Sequence, residues 1–167
     1  MQNAVVAAAC NRSAVVDNIR RLVQKARQER VSVIWVQHAD EDLPPGSHAW
    51  QIVPELVPDG DEVCIAKHYG DAFEGTGLEA LLQEREIGRL FVVGAQTDAC
   101  IRATLHGGFA RGYDVTLVSD AHTTEERPGS DMPTAGQVIA LTNRYWSRHR
   151  APGRTAAVFE TDSLSFA

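Results

Sequence analysis

The feature that most constrains this chain is a short apolar run that turns directly into a helix carrying a cysteine. Arg89-Leu90-Phe91-Val92-Val93 is apolar and β-branched, the pattern of a buried strand. Ile101, Leu105 and Phe109 then recur at four-residue spacing, which predicts one face of a helix. The linker Gly94-Ala95-Gln96-Thr97-Asp98-Ala99 is short, so Cys100 falls in the first turn of that helix. Unpaired N–H groups and the positive dipole end at a helix start favour a thiolate. Such a thiolate is a nucleophile, and neighbouring amides can hold an oxyanion. Thr97 or Asp98 is expected to cap the helix. By position alone, a packed core residue under the helix start, the commonest fate of a free cysteine, is the favoured reading.

The rest of the chain repeats the strand–helix alternation. Ser13 is a plausible N-cap for an amphipathic helix carrying Val15, Val16, Ile19, Leu22, Val23 and Ala26 and running to about Arg30. Its arginines form a solvated face. Val31 to Val36 predicts a strand ending at Gln37-His38, followed by a loop through Pro44-Pro45-Gly46-Ser47. Glu62 to Lys67 predicts another strand, with Cys64 in the core. Leu78, Leu81 and Leu82 mark a short helix closed by Gly88. Val115 to Val118 is a strand running into Asp120-Ala121-His122-Thr123-Thr124, and residues 127–131 form a turn. Val138 to Trp146 belongs to a last helix, ended by Pro152-Gly153, and Ala156 to Phe159 is a final strand.

Strands alternating with helices predict an α/β fold: three α-β-α layers around a mostly parallel sheet, with helices on both faces. The length of 167 residues suits one domain over 1–167. In such sheets the site lies beyond the C-terminal strand ends. His38, Lys67 and the loop before Cys100 all fall there, so three separate strands point to one crevice. A net charge of -6 without a basic run argues against a nucleic-acid partner. No apolar run is long enough to span a membrane. The three cysteines, Cys10, Cys64 and Cys100, are widely spaced and suggest neither a zinc site nor a disulfide framework; a reducing cytoplasm is the simplest setting.

The motif Gly94, Thr97, Asp98, Cys100, Ala103, Thr104 resembles the nucleophile segment of the isochorismatase-like cysteine hydrolases, which include nicotinamidases, N-carbamoylsarcosine amidohydrolases and isochorismatases. Lys67-His68-Tyr69-Gly70-Asp71-Ala72-Phe73-Glu74-Gly75-Thr76 is similar to that family's lysine segment. Gly112-Tyr113-Asp114-Val115 and Ser119-Asp120-Ala121 continue the likeness. The resemblance implies a Cys100 nucleophile attacking a small amide or related C–N substrate through a thioester-type intermediate. It implies Lys67 as the catalytic cation, the N–H groups of Gln96 and Cys100 as the oxyanion site, and a cis peptide at Ala95–Gln96. His38, Trp50, Tyr69 and Phe73 are candidates for lining the substrate pocket, although plain core packing suits the aromatics nearly as well. The nicotinamidase metal pattern is not reproduced at Gln37-His38-Ala39-Asp40, so no metal and no cofactor are expected. A small-molecule substrate and a homo-oligomer are.

One family element has no counterpart. The base aspartate normally ends a central first strand, and Met1-Gln2-Asn3 matches the residues that come directly after that aspartate. Absence of that strand would leave a slot about twice the ~4.7–4.9 Å strand spacing, or a sheet that closes by re-pairing. The expectation is a native protein longer at its N-terminus. Two alternatives stay open: a catalytically inactive member serving as a binding or oligomerisation module, and an isochorismate vinyl-ether hydrolase.

Overall fold

The computed structural model describes residues 1–126, 129 and 131–166. The chain runs α1 (Arg12–Gln28), β1 (Ile34–His38), β2 (Val63–Lys67), α2 (Leu78–Glu84) and β3 (Arg89–Ala95). A π-helical turn (Thr97–Ile101) then continues into α3 (Arg102–Ala110), followed by β4 (Asp114–Thr123), α4 (Ala135–Trp146), β5 (Arg150–Ala151) and β6 (Arg154–Phe159). Helix α1 begins one residue before the expected cap Ser13. Asn11 occupies the cap position in a left-handed conformation, without a side-chain cap bond. Part of the turn expected over 127–131, at Arg127, Pro128 and Ser130, lies outside the described residues.

Strands β3, β4 and β6 pair in parallel, and β5 closes the far edge antiparallel to β6. Successive residues of a strand point to opposite faces, and β3 shows this directly. Phe91, Val93 and Ala95 pack against one core with Ile19, Leu22, Val118 and Leu164. Leu90 and Val92 pack against the other, with Leu82, Leu105, Phe109 and Trp146. The first core lies under α1 and the second under α2, α3 and α4. Helices on both faces of a mostly parallel sheet are the three-layer α/β arrangement.

Strands β1 and β2 pair in parallel with each other, from Ile34↔Val63 to His38↔Lys67. Among the described residues no strand joins β1 to β3, so the parallel array is split in two. A cavity of about 530 Å³ lies between the halves, bordered by Ile34 to Val36 on one side and Arg89 to Ala95 on the other. Cys64, expected in the core, is exposed. The reason is that β2 is the outer strand of a two-stranded pair, and its outward face, Cys64 and Ala66, is left to solvent. Among the described residues no helix is long and apolar enough to cross a membrane.

Candidate active site

The C-terminal ends of β1, β2 and β3 meet at one place because the strands run in the same direction. Lys67 is the last residue of β2, His38 the last of β1, and Cys100 sits in the π-helical turn after β3. All three line a cavity of about 230 Å³ with Val36, Ala95, Gln96 and Ala99. Gly94 has φ near +123°, a region open to glycine, and it starts the turn from strand to helix. The next peptide bond, Ala95–Gln96, is cis.

Lys67 is 4% exposed, and its ammonium faces three acceptors. It donates to the Tyr69 carbonyl at 2.6 Å and to Cys100 Sγ at 3.1 Å, and it lies 3.4 Å from His38 Nδ1. An ammonium has three N–H donors, so this tripod uses each once. A buried cation needs such polar partners, since an unpaired one is costly. On the far side of the imidazole, His38 Nε2 is 3.0 Å from Asp40 Oδ2. If Nε2 carries the proton toward Asp40, Nδ1 is left as the acceptor facing Lys67. Asp40 itself is held below the ordinary carboxylate range, first by the Leu43 amide and also by His38. The Gln96 N–H makes no hydrogen bond to the protein among the described residues.

Neither Thr97 nor Asp98 caps the helix as expected; the cap position is Gln96, with no side-chain cap bond. Thr97 Oγ1 instead pairs with His122 Nδ1 at 2.8 Å, and Asp98 accepts from Thr124 Oγ1 at 2.7 Å. His122 is 1% exposed, and its Nε2 contacts Asn143 Oδ1 at 2.9 Å. Burial pushes the His122 pKa down, so the imidazole is neutral at neutral pH. These side chains tie the turn that carries Cys100 to β4 and α4. Sequence reasoning passed over them; the one available signal was a polar cluster at the C-terminal end of β4, where site residues of α/β sheets gather.

Of the expected pocket residues, His38 borders the cavity beside Cys100, and Phe73 borders the larger cavity while stacking on Tyr113. Trp50 and Tyr69 border neither. Tyr69 is 61% exposed and contributes its carbonyl to Lys67 rather than its ring to a wall. Trp50 contributes its carbonyl to Gln2 and Gln37. Among the described residues no group of three or more His, Cys, Asp or Glu is gathered as a metal site would require.

The Isochorismatase domain model matches residues 1–135, and the chain belongs to that family. Among its relatives, the streptothricin hydrolase of Streptomyces noursei is 30% identical over 78% of this chain and 48% of its own length. The N-carbamoylsarcosine amidase of an Arthrobacter species is 28% identical over 59% of this chain and 46% of its own. The chain thus spans about half the length of these two relatives. Among solved structures, an isochorismatase from Pseudomonas putida superposes with a TM-score of 0.83 at 29% identity, covering 92% of this chain and 78% of that one.

Proposed function

We propose that this chain is a cysteine hydrolase of small amides or related C–N compounds, with Cys100 as nucleophile. The observation that carries the reading is the 3.1 Å contact between the Lys67 ammonium and Cys100 Sγ at the mouth of a cavity. The family relatives named as amidase and amidohydrolase support the substrate class.

In this reading the thiolate attacks the carbonyl carbon, and the oxyanion rests on the N–H groups of Gln96 and Cys100. Collapse breaks the C–N bond, and the departing amine takes a proton from Lys67 Nζ. Water then attacks the thioester while His38 Nδ1 accepts its proton, with Asp40 holding the imidazole in the required tautomer. The C–S bond breaks, the thiolate re-forms, and the proton passes from His38 to Lys67. Each residue returns to its starting state.

A second reading has support from one observation. Among the described residues no carboxylate is within hydrogen-bond reach of Lys67 or Cys100, and one relative is named a probable inactive nicotinamidase. In that reading the chain is a binding or oligomerisation module. A panel of small amides and ureides, assayed with the native chain and with Cys100→Ala, separates the two. The expected result is turnover by the native chain, a thioester adduct visible by mass spectrometry, and loss of turnover by about a thousandfold or more in the variant. Most activity surviving in Cys100→Ala would remove the nucleophile assignment, and no turnover or adduct with any member would favour the inactive reading.

A further inference from the structure

The pairing of β3 with β4 changes register beside the turn that carries Cys100. Val92 lies opposite Leu117, but Gly94 lies opposite His122. Two steps along β3 therefore span five along β4, and residues 118–121 form an irregular stretch between the two pairs. Irregularities of this kind re-aim side chains beside sites. Here it brings His122 level with Gly94, where the chain begins to turn toward Cys100.

His122 and Thr97 are 1% and 0% exposed. An imidazole is a costly way to fill a buried position, because both ring nitrogens need partners there. Nδ1 has Thr97 Oγ1 at 2.8 Å, and Nε2 has Asn143 Oδ1 at 2.9 Å. The direction of these bonds follows from the far end. Asn143 Nδ2 donates to the Ser119 carbonyl at 3.1 Å, and a carbonyl can only accept. Asn143 Oδ1 is therefore the atom turned to the ring, and it accepts, so Nε2 carries the proton. Burial lowers the His122 pKa, so the ring is neutral and Nδ1 is a bare acceptor. The Thr97 hydroxyl must donate to it. Donors thus run one way, from Thr97 to His122 to Asn143 to the Ser119 carbonyl, and each bond polarises the next. The relay starts in the nucleophile turn and ends on the irregular stretch of β4.

The turn needs a tether from outside. Residues Thr97–Ile101 are π-helical, and the cap position Gln96 makes no side-chain cap bond. The Gln96 carbonyl is shared by the amides of Ala99 and Ile101, at 3.2 and 3.1 Å. Thr97 and Cys100 belong to this one turn, so a movement of the first carries the second. Cys100 Sγ lies 3.1 Å from Lys67 Nζ, a contact that small movements of the turn would break.

We propose that His122 is a positioning residue for Cys100: as the acceptor of the Thr97 hydroxyl bond, it holds the turn where Sγ meets the Lys67 ammonium. Asn143 serves it by fixing the tautomer. What an apolar residue at 122 could not supply is that acceptor. The inference rests on the proposed function in taking Cys100 as the working thiol. Its test needs no substrate, however, so a native chain that hydrolyses nothing would remove the hydrolase reading and leave this one to be decided separately.

The test follows iodoacetamide alkylation of Cys100 by mass spectrometry of the peptide that carries it, with the exposed Cys64 as internal reference. The ratio of the rate at about pH 7 to that on the alkaline plateau reports the hold of the ammonium on the thiolate, separately from access. Two substitutions split the relay. His122→Asn puts an amide oxygen near the place of Nδ1 and keeps an acceptor for Thr97. His122→Gln puts an amide nitrogen near the place of Nε2 and keeps only the donor to Asn143. His122→Gln is expected to lower the ratio by about threefold or more, the scale of one lost buried hydrogen bond. His122→Asn is expected to keep most of the native ratio, and Cys64 should react alike in both. Thr97→Val should behave as His122→Gln does, and Thr97→Ser should recover most of the loss; this pair carries the test if a His122 variant fails to fold. Nitrogen-15 NMR of the native ring should find the proton on Nε2. Equal ratios in His122→Asn and His122→Gln would make the role merely structural and overturn the proposal. So would a native ratio in Thr97→Val, or a proton on Nδ1.

Discussion

The two halves of the sheet are built to different standards. In the larger half, β4 lies between β3 and β6, and Val115, Leu117 and Val118 are at most 1% exposed. In the smaller half, β1 and β2 have no strand partner but each other among the described residues, and Ile34, Val36 and Ile65 are partly buried companions of a core centred elsewhere. The candidate nucleophile comes from the first half and its cation from the second. Their 3.1 Å contact is therefore not held by the sheet ladder that fixes neighbouring strands in a continuous sheet. It is held by connections through α3 and the segment after β2: the Ala72 N–H donates to Thr104 Oγ1 at 3.0 Å, and Arg111 pairs with Asp71 at 3.3 Å. A Cβ on Gly107 would lie 2.2 Å from the Asp71 carboxylate, so the close approach needs glycine at that place. On the other face, Glu62 takes both Arg27 and the Trp35 indole N–H, which ties β1 to α1. The lesson is that a rigid half and a lightly tethered half share one site.

The largest expected effect comes from cutting the link between the halves at the site. Lys67→Met keeps the length and apolar stem of the side chain and removes the ammonium. Turnover should fall by about a hundredfold or more if the cation acts in the transition state. Alkylation of Cys100 by iodoacetamide at neutral pH should slow as well, because the thiolate loses its counter-charge. Unchanged turnover together with an unchanged alkylation rate would take Lys67 out of the site.

The next effect tests the rigid half by itself. Leu117→Ala empties space in a fully buried position between β3 and β6. The expected loss is about 2–5 kcal/mol in denaturant unfolding, the usual cost of such a cavity. A loss well below ~1 kcal/mol would mean that this half is no better packed than the other, and the comparison would fail.

Much of this division was out of reach of sequence reasoning. The apolar runs and helical spacings locate the strands and helices because burial on one or two faces leaves a local period. The same spacing places His38, Lys67 and Cys100 at strand ends. Periodicity does not reveal which strand lies at an edge, and the expectation for Cys64 failed for that reason. Nor does it reveal side-chain pairs made across the fold. Thr97 and Asp98 have the composition of helix caps, yet their bonds go to His122 and Thr124, 25 and 26 residues away in the chain.

His122 supplies a smaller, pH-dependent effect. Burial lowers its pKa in the folded state from the ordinary value of 6.5. The unfolded chain therefore binds the proton more readily, and stability falls as pH drops below 6.5 until the folded-state pKa is passed. His106 shifts the same way by burial, so it contributes to the same limb. Glu62 acts lower down: with its pKa held at about 2, chiefly by the Arg27 hydrogen bond, its contribution is present above 4.5 and lost as pH falls toward 2. In His122→Gln the decline between pH 6.5 and 4.5 should shrink without vanishing, while the decline below 4.5 stays. An unaltered upper limb in urea melts across this range would show that His122 is not the group being protonated.

The smallest effect belongs to Cys64 and gives the sharpest reading of the lightly built half. Cys64 sits mid-strand in β2, opposite Trp35 in the β1 pairing, yet it is exposed. A thiol on an open sheet face makes few packing contacts, so Cys64→Ser should change unfolding free energy by no more than about 0.5 kcal/mol, as surface substitutions usually do. A buried thiol replaced by a hydroxyl without a partner would instead cost about 1–3 kcal/mol. The two outcomes are well separated, and the sign of the answer does not depend on catalysis. A loss in the upper range would mean that something covers the outer face of β2 in solution, and a concentration dependence of that loss would identify the cover as a second copy of the chain. A negligible loss leaves β2 as the open margin of the molecule. It also provides a background in which Cys64 no longer competes with Cys100 for the alkylating reagent.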